Sequence, residues 1–273
     1  MSAIEILGLR PIRGGLSVQG SKNAVLPMMA ASVLNRGKTV LENVPGIQDV
    51  FCMMGILDSL GCSCRLTGGR LEIDSSGLCG VRIAREEMEK MRSSVMLLGA
   101  LLGRCGEAQI CRPGGCRIGS RPIDLHLEAL EALGARFESD GEILRATGAR
   151  LAGGHIVLSY PSVGATENAL FAAVMASGRT VVEGCAREPE IGELCMFLNG
   201  MGACVRGGGT GVITVEGGLP LHDVRMTVGG DRIAAGTYLL AASLSGGEIV
   251  LEGVRTSSLT AVTEALQRMG AVL

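Results

Sequence analysis

The sequence has 273 residues, enough for one large domain or for one domain with part of another. Hydrophobic residues make up 47% and aromatics only 2%, so a core must come from Leu, Val, Ile, Ala and Met. A net charge of −2 excludes a broad basic face, and with it a nucleic-acid partner.

The first residues, MSAIEILGLRPIRGG, lack the apolar run of a secretory leader. The longest apolar stretch, residues 233–244, falls short of the roughly 18 residues that span a bilayer. These features predict a soluble, cytoplasmic chain with no membrane partner. The ten cysteines sit mostly in apolar segments and are expected to be reduced thiols. Cys62, Cys64 and Cys79 have no CxxC pairing and no neighbouring His, so no metal site is expected, and no cofactor motif is visible.

In chain order, an Ala-rich apolar helix is predicted at 24–35, a strand at 36–44, a second helix at 49–62, and two short strands around a glycine turn at 64–74. The same succession returns with a helix at 94–103, a strand at 105–113, a helix at 123–135 and strands at 136–147. A third round has helices at 167–177 and 191–203 with a strand at 177–185 between them, and a fourth has helices at 234–245 and 259–271 around a strand at 245–254. The second helix of each round closes on Gly61, Gly134, Gly202 or Gly270, spaced 73, 68 and 68 residues apart, as left-handed caps. The fourth round stops at GAVL, where its hairpin would begin, which reads as a shortened chain whose exposed edges favour self-association.

The link between strand and second helix is short in rounds one and three (PGIQ, AREPE) but long in round two, PGGCRIGSRP at 113–122. There Cys116 lies among Gly114, Gly115 and Gly119, with Arg112, Arg117 and Arg121 close by. Positive charge favours the reactive thiolate. Pro122 and Asp124 open a helix whose N-terminus suits an anion. The loop is either a reactive thiol beside a phosphate or carboxylate site, or a surface loop with an incidental cysteine. Every first helix also starts on polar residues: Lys22 and Asn23, Arg92, the run Ser162–Val163–Gly164, and Asp231 with Arg232. If the rounds pack about a pseudo-threefold axis, these starts converge into a mouth for an anionic substrate. His126 reads as a helix-face residue rather than an acid or base, and His155 and His222 as loop residues.

The stretches GSKNAVLP, KMRSSV, PGGCRIGSRPIDLH, PSVGATEN, AREPEI and DRIAAGT, in this order and spacing, closely resemble the UDP-N-acetylglucosamine enolpyruvyl transferase family along the whole chain. The resemblance implies an α/β fold, an inside-out α/β barrel of repeated helix–strand–helix–strand–strand units in pseudo-threefold arrangement. It implies a first domain at 22–229 and part of a second made of 1–21 and 230–273. It implies transfer of the enolpyruvyl group of phosphoenolpyruvate to the 3-hydroxyl of UDP-N-acetylglucosamine with release of phosphate, the first committed step of peptidoglycan synthesis. Cys116 matches the family's catalytic, fosfomycin-sensitive cysteine. Lys22, Asn23 and Arg121 match contacts to phosphoenolpyruvate. Arg92, Arg121, Pro122, Ile123, Asp124, Leu125, Ser162, Val163 and Gly164 match contacts to the UDP-sugar. Gln48 stands where some members carry Lys, so a cation is lacking there. The family's general-base aspartate has no counterpart within these residues, so the 273 residues alone are expected to be inactive. A same-fold transferase acting on shikimate 3-phosphate and a non-catalytic UDP-sugar-binding fragment are the alternatives. The cysteine loop argues against the first.

Overall fold

The computed structural model describes residues 10–111 and 123–273, apart from the side chains of Lys90 and Arg92. The chain forms two compact units, one of residues 22–228 and one of residues 1–21 with 229–273.

The first repeat contains β1 (Arg13–Ser17), α1 (Lys22–Ala31), β2 (Lys38–Glu42), α2 (Gln48–Ser59), β3 (Ser63–Thr67) and β4 (Arg70–Asp74). The second has α3 (Arg85–Lys90), a 3-10 turn at Arg92–Met96, α4 (Leu97–Cys105), β5 (Glu107–Cys111), α5 (Asp124–Glu131), β6 (Arg136–Asp140) and β7 (Ile143–Thr147). The third has β8 (His155–Val157), α6 (Val163–Met175), β9 (Gly178–Glu183), α7 (Pro189–Gly200), β10 (Cys204–Arg206) and β11 (Val212–Gly217). The last has β12 (Val224–Thr227), α8 (Arg232–Ser245), β13 (Glu248–Glu252) and α9 (Thr260–Arg268).

The first, third and last repeats carry a leading strand in addition to the predicted elements, and the second a single bridge in the same place. β8 pairs in parallel with β9, and Arg82 makes the same parallel bridge to Gln109 of β5. The first and last repeats exchange theirs. β1 pairs with β13, and β12 with β2. This exchange divides the chain near residues 21 and 228 and leaves the sequence order of each repeat intact.

In the 22–228 unit the helices lie inside and the sheets outside. Residues 24–31 of α1, 97–102 of α4 and 165–174 of α6 are all buried, so these helices are covered on every side. The strands alternate buried and exposed, as β4 does, with one face on the helices. Three separate sheets, β12-β2-β4-β3, β5-β7-β6 and β10-β11-β9-β8, cover the helices without closing into one barrel among the described residues. In the other unit Val18, Ala235 and Leu259 form a small core.

Two glycine devices set this geometry. Gly61, Gly134, Gly202 and Gly270 have φ of 97°, 96°, 102° and 96°. After each, the next N–H reaches a buried leucine carbonyl: Cys62 to Leu57, Ala135 to Leu130, Ala203 to Leu198 and Ala271 to Leu266, at 2.9–3.1 Å. This is the Schellman ending, repeated four times. The second device is on α4. A Cβ on Gly99 would meet the backbone carbonyl of Asn168 and lie 2.7 Å from its Oδ1, and one on Gly103 would lie 2.9 Å from Met175 Cγ. α4 therefore rests directly on α6 along a stripe with no side chains.

His155 is the first residue of β8 and faces Glu183 at 3.0 Å rather than sitting in a loop. His222 does lie in a loop, before β12.

Two substitutions separate the glycine effects. Gly134→Ala has open space, with its nearest atom at 4.0 Å, and should cost only the left-handed backbone penalty, about 1 kcal/mol. Gly99→Ala must separate two buried helices and should cost about 3 kcal/mol. Urea unfolding measures both, and equal losses would refute the close-approach argument.

Candidate functional site

α6 begins with Ser162 as N-cap, whose hydroxyl accepts from Ala165 N at 3.4 Å. Val163 and Gly164 follow, half-buried. Their amides, in the first turn, have no intrahelical acceptor. α5 begins beside them. Ile123 is its N-cap, Asp124 is exposed in the first turn, and Leu125 is half-buried. The two starts meet through His126, because a Cβ on Gly164 would lie 2.8 Å from His126 Cε1. Ile123–Leu125 and Ser162–Gly164, far apart in sequence, are thus brought together.

Lys22 and Asn23 open α1 and are exposed. Lys22 Nζ lies 2.5 Å from Asp49 Oδ2, a partly exposed pair that links α1 to α2. Gln48 is exposed, and its amide reaches Cys52 Sγ at 3.5 Å. The backbone of Arg92 opens the 3-10 turn before α4, while its side chain lies outside the described residues. Cys116, Arg121 and Pro122 also lie outside them.

Sequence reasoning passed over the buried polar groups beneath the surface. Asn168 is fully buried in α6. Its Oδ1 accepts from Gly99 N at 2.6 Å, its Nδ2 donates to Val95 O at 3.2 Å, and it faces His126 Nδ1 at 2.7 Å. Burial pushes the His126 imidazole down to about 4 and keeps it neutral. Thr166 Oγ1 donates to Ser162 O at 2.8 Å and accepts from Ala186 N at 3.1 Å, which ties the start of α6 to the AREPE segment. Glu167, also in α6, is pushed up to about 8 by burial and then by Glu190 of α7, itself buried. The only signal available was the run of polar residues within the Ala-rich helix, Thr166–Glu167–Asn168.

All nine described cysteines are free. Burial pushes Cys62 and Cys185 up to about 11 and Cys195 to about 12, and raises Cys64 and Cys105 as well. Such thiols stay protonated and are poor nucleophiles. Among the described residues, no group of three or more His, Cys, Asp or Glu could hold a metal ion, and no helix is long and apolar enough to cross a membrane.

A family model described as EPSP synthase (3-phosphoshikimate 1-carboxyvinyltransferase) matches residues 7–273. A protein of Symbiobacterium thermophilum named UDP-N-acetylglucosamine 1-carboxyvinyltransferase 1 is 47% identical over 268 residues, covering 96% of this chain and 61% of the relative. One of Solidesulfovibrio magneticus, named UDP-N-acetylglucosamine 1-carboxyvinyltransferase, is 42% identical over 273 residues, covering 100% of this chain and 66% of the relative. The chain thus spans about two thirds or less of the length of these curated relatives. The crystal structure of the enolpyruvyl transferase NikO from Streptomyces tendae superposes with a TM-score of 0.75 at 21% identity, covering 85% of this chain and 55% of that one. The EPSP synthase from Acinetobacter baumannii superposes with a TM-score of 0.76 at 22% identity, covering 97% and 61%. These likenesses show an enolpyruvyl transferase fold.

The buried carboxyl gives a pH test. Glu167 has a folded pKa above its unfolded one, so its favourable contribution is complete below about pH 4.5 and is lost as pH rises toward about 8. Glu167→Gln should match wild type in stability near pH 4.5 and exceed it near pH 8 by on the order of a few kcal/mol. Urea unfolding at the two pH values checks this. A difference that does not change with pH would mean that Glu167 ionises alike in both states.

Proposed function

The chain belongs to the EPSP synthase family of carboxyvinyltransferases, and from that premise we propose that it serves transfer of the enolpyruvyl group from phosphoenolpyruvate to the 3-hydroxyl of UDP-N-acetylglucosamine. The names of relatives at 42–47% identity support this acceptor over shikimate 3-phosphate. So does the PGGC loop around Cys116. The observation that carries the reading is the meeting of two helix starts, α5 and α6, at His126 and Gly164. Two first turns with open amides, side by side, suit a diphosphate better than a single phosphate.

In this reading Ser162, Val163 and Gly164 hold the diphosphate together with Arg92 and Arg121. Pro122, Ile123, Asp124 and Leu125 hold the uridine end. Lys22, Asn23 and Arg121 hold phosphoenolpyruvate, whose negative charge competes with Asp49 for the Lys22 ammonium. Cys116 delivers a proton to C3 of phosphoenolpyruvate. C2 then carries positive charge, which the sugar 3-hydroxyl quenches as it forms the new C–O bond and gives up its proton. Departure of phosphate from C2 with loss of a proton from C3 restores the double bond on the sugar. The cations stabilise phosphate throughout. We read 22–228 as the domain that carries the cysteine loop, with reaction and substrates placed in the cytoplasm.

Titration of the labelled chain with UDP-N-acetylglucosamine tests the reading. Amide shifts should concentrate at Ile123–His126 and Ser162–Gly164. Shifts elsewhere, or none, would sink it, and the same pattern with shikimate 3-phosphate instead would favour that acceptor. A second check uses thiol chemistry. At pH 7, limiting iodoacetamide should modify Cys116 well before Cys62, Cys185 or Cys195, as read by peptide mass mapping, because burial holds those three protonated.

A further inference from the structure

Three stretches assigned above to the sugar nucleotide, the starts of α5 and α6 and the turn opened by Arg92, belong to different elements. One buried side chain of α6, that of Asn168, touches the Arg92–Met96 turn, α4 and His126 of α5, and His126 in turn lies against the start of α6. Gly99 N–H can only donate, so the Asn168 atom 2.6 Å from it is the oxygen. The other atom is then the NH2 group, which donates to Val95 O in the Arg92–Met96 turn at 3.2 Å. The same group faces His126 Nδ1 at 2.7 Å, so Nδ1 accepts. The ring proton of a neutral His126 is left on Nε2. The position of a Cβ on Gly164 lies only 3.2 Å from that Nε2, so this edge of the ring lies against the first turn of α6.

We propose that Asn168 is a positioning residue for the sugar-nucleotide site: its amide holds His126 in the Nε2–H form and locks the Arg92–Met96 turn and α4 to α6, so that the two helix starts present their donors in one fixed arrangement. This rests on the UDP-sugar reading given above. No other side chain serves all three bonds. Asp lacks the donor, Leu lacks both groups, and Gln is one carbon too long for a site with no free volume.

The nitrogen spectrum of histidine-labelled chain at pH 7 reads the tautomer directly. The expected result is a protonated Nε2 and a bare Nδ1 at His126, with the resonances moving when UDP-N-acetylglucosamine is added. The opposite tautomer, an imidazolium, or a ring indifferent to the ligand would overturn the proposal. Asn168→Asp keeps the acceptor for Gly99 but faces Nδ1 with a carboxylate. It should draw a proton onto Nδ1, give an imidazolium at pH 7, and weaken UDP-N-acetylglucosamine binding about tenfold by calorimetry. A variant with the wild-type tautomer or wild-type affinity would also overturn it. Should that variant not fold, the wild-type spectrum with and without ligand still decides. A wild-type chain that binds no UDP-N-acetylglucosamine removes the functional reading itself, whereas normal wild-type binding with an indifferent Asn168→Asp removes only the role of Asn168.

Discussion

How closely α4 lies on α6 governs the rest of the 22–228 unit. Gly99 and Gly103 remove the side chains that would hold the two backbones apart. At that separation an amide in the middle of α6 can reach a backbone N–H of α4, a carbonyl of the preceding turn and the ring of His126 together. With alanine at 99 the helices would part, and the three bonds could not all be kept.

The repeat solves a local and a global problem with different residues. Locally, each second helix ends on a left-handed glycine and a buried leucine, which in the first three repeats turns the chain back into its hairpin. Globally, the first and last repeats exchange leading strands, so the chain crosses between units twice without changing the internal plan of either repeat. Parallel pairing makes the exchange feasible. A leading strand needs only a neighbour of matching direction, and β2 and β13 are equivalent in that respect.

This division explains what could be read in advance. Apart from α3, whose six residues were not predicted as a helix, the helices, the hairpins and the four cap glycines were legible because each is encoded within about a dozen consecutive residues. The leading strands were not, because His155–Val157 is three residues long and owes its existence to a partner elsewhere. Lys22, Asn23, Asp124 and Ser162 were legible as polar residues opening helices. Asn168 was not, since a polar residue within an Ala-rich run looks the same in sequence whether it faces solvent or lies at the meeting point of four elements. Only the packing of Gly99 and His126 around it distinguishes the two.

The same position in the repeat then takes different chemistry. At the start of α8, Asp231 Oδ1 accepts from both Ile233 N at 2.8 Å and Ala234 N at 3.1 Å. Two amides of the helix end are satisfied by its own carboxylate. At the start of α6 the cap is a neutral serine that accepts from Ala165 N alone at 3.4 Å, and glycine follows at the second helical position. Among the described residues, the amides of Val163 and Gly164 have no acceptor there. A single choice of capping residue, aspartate or serine, thus sets how many amides each helix start of a repeated scaffold closes with its own side chain.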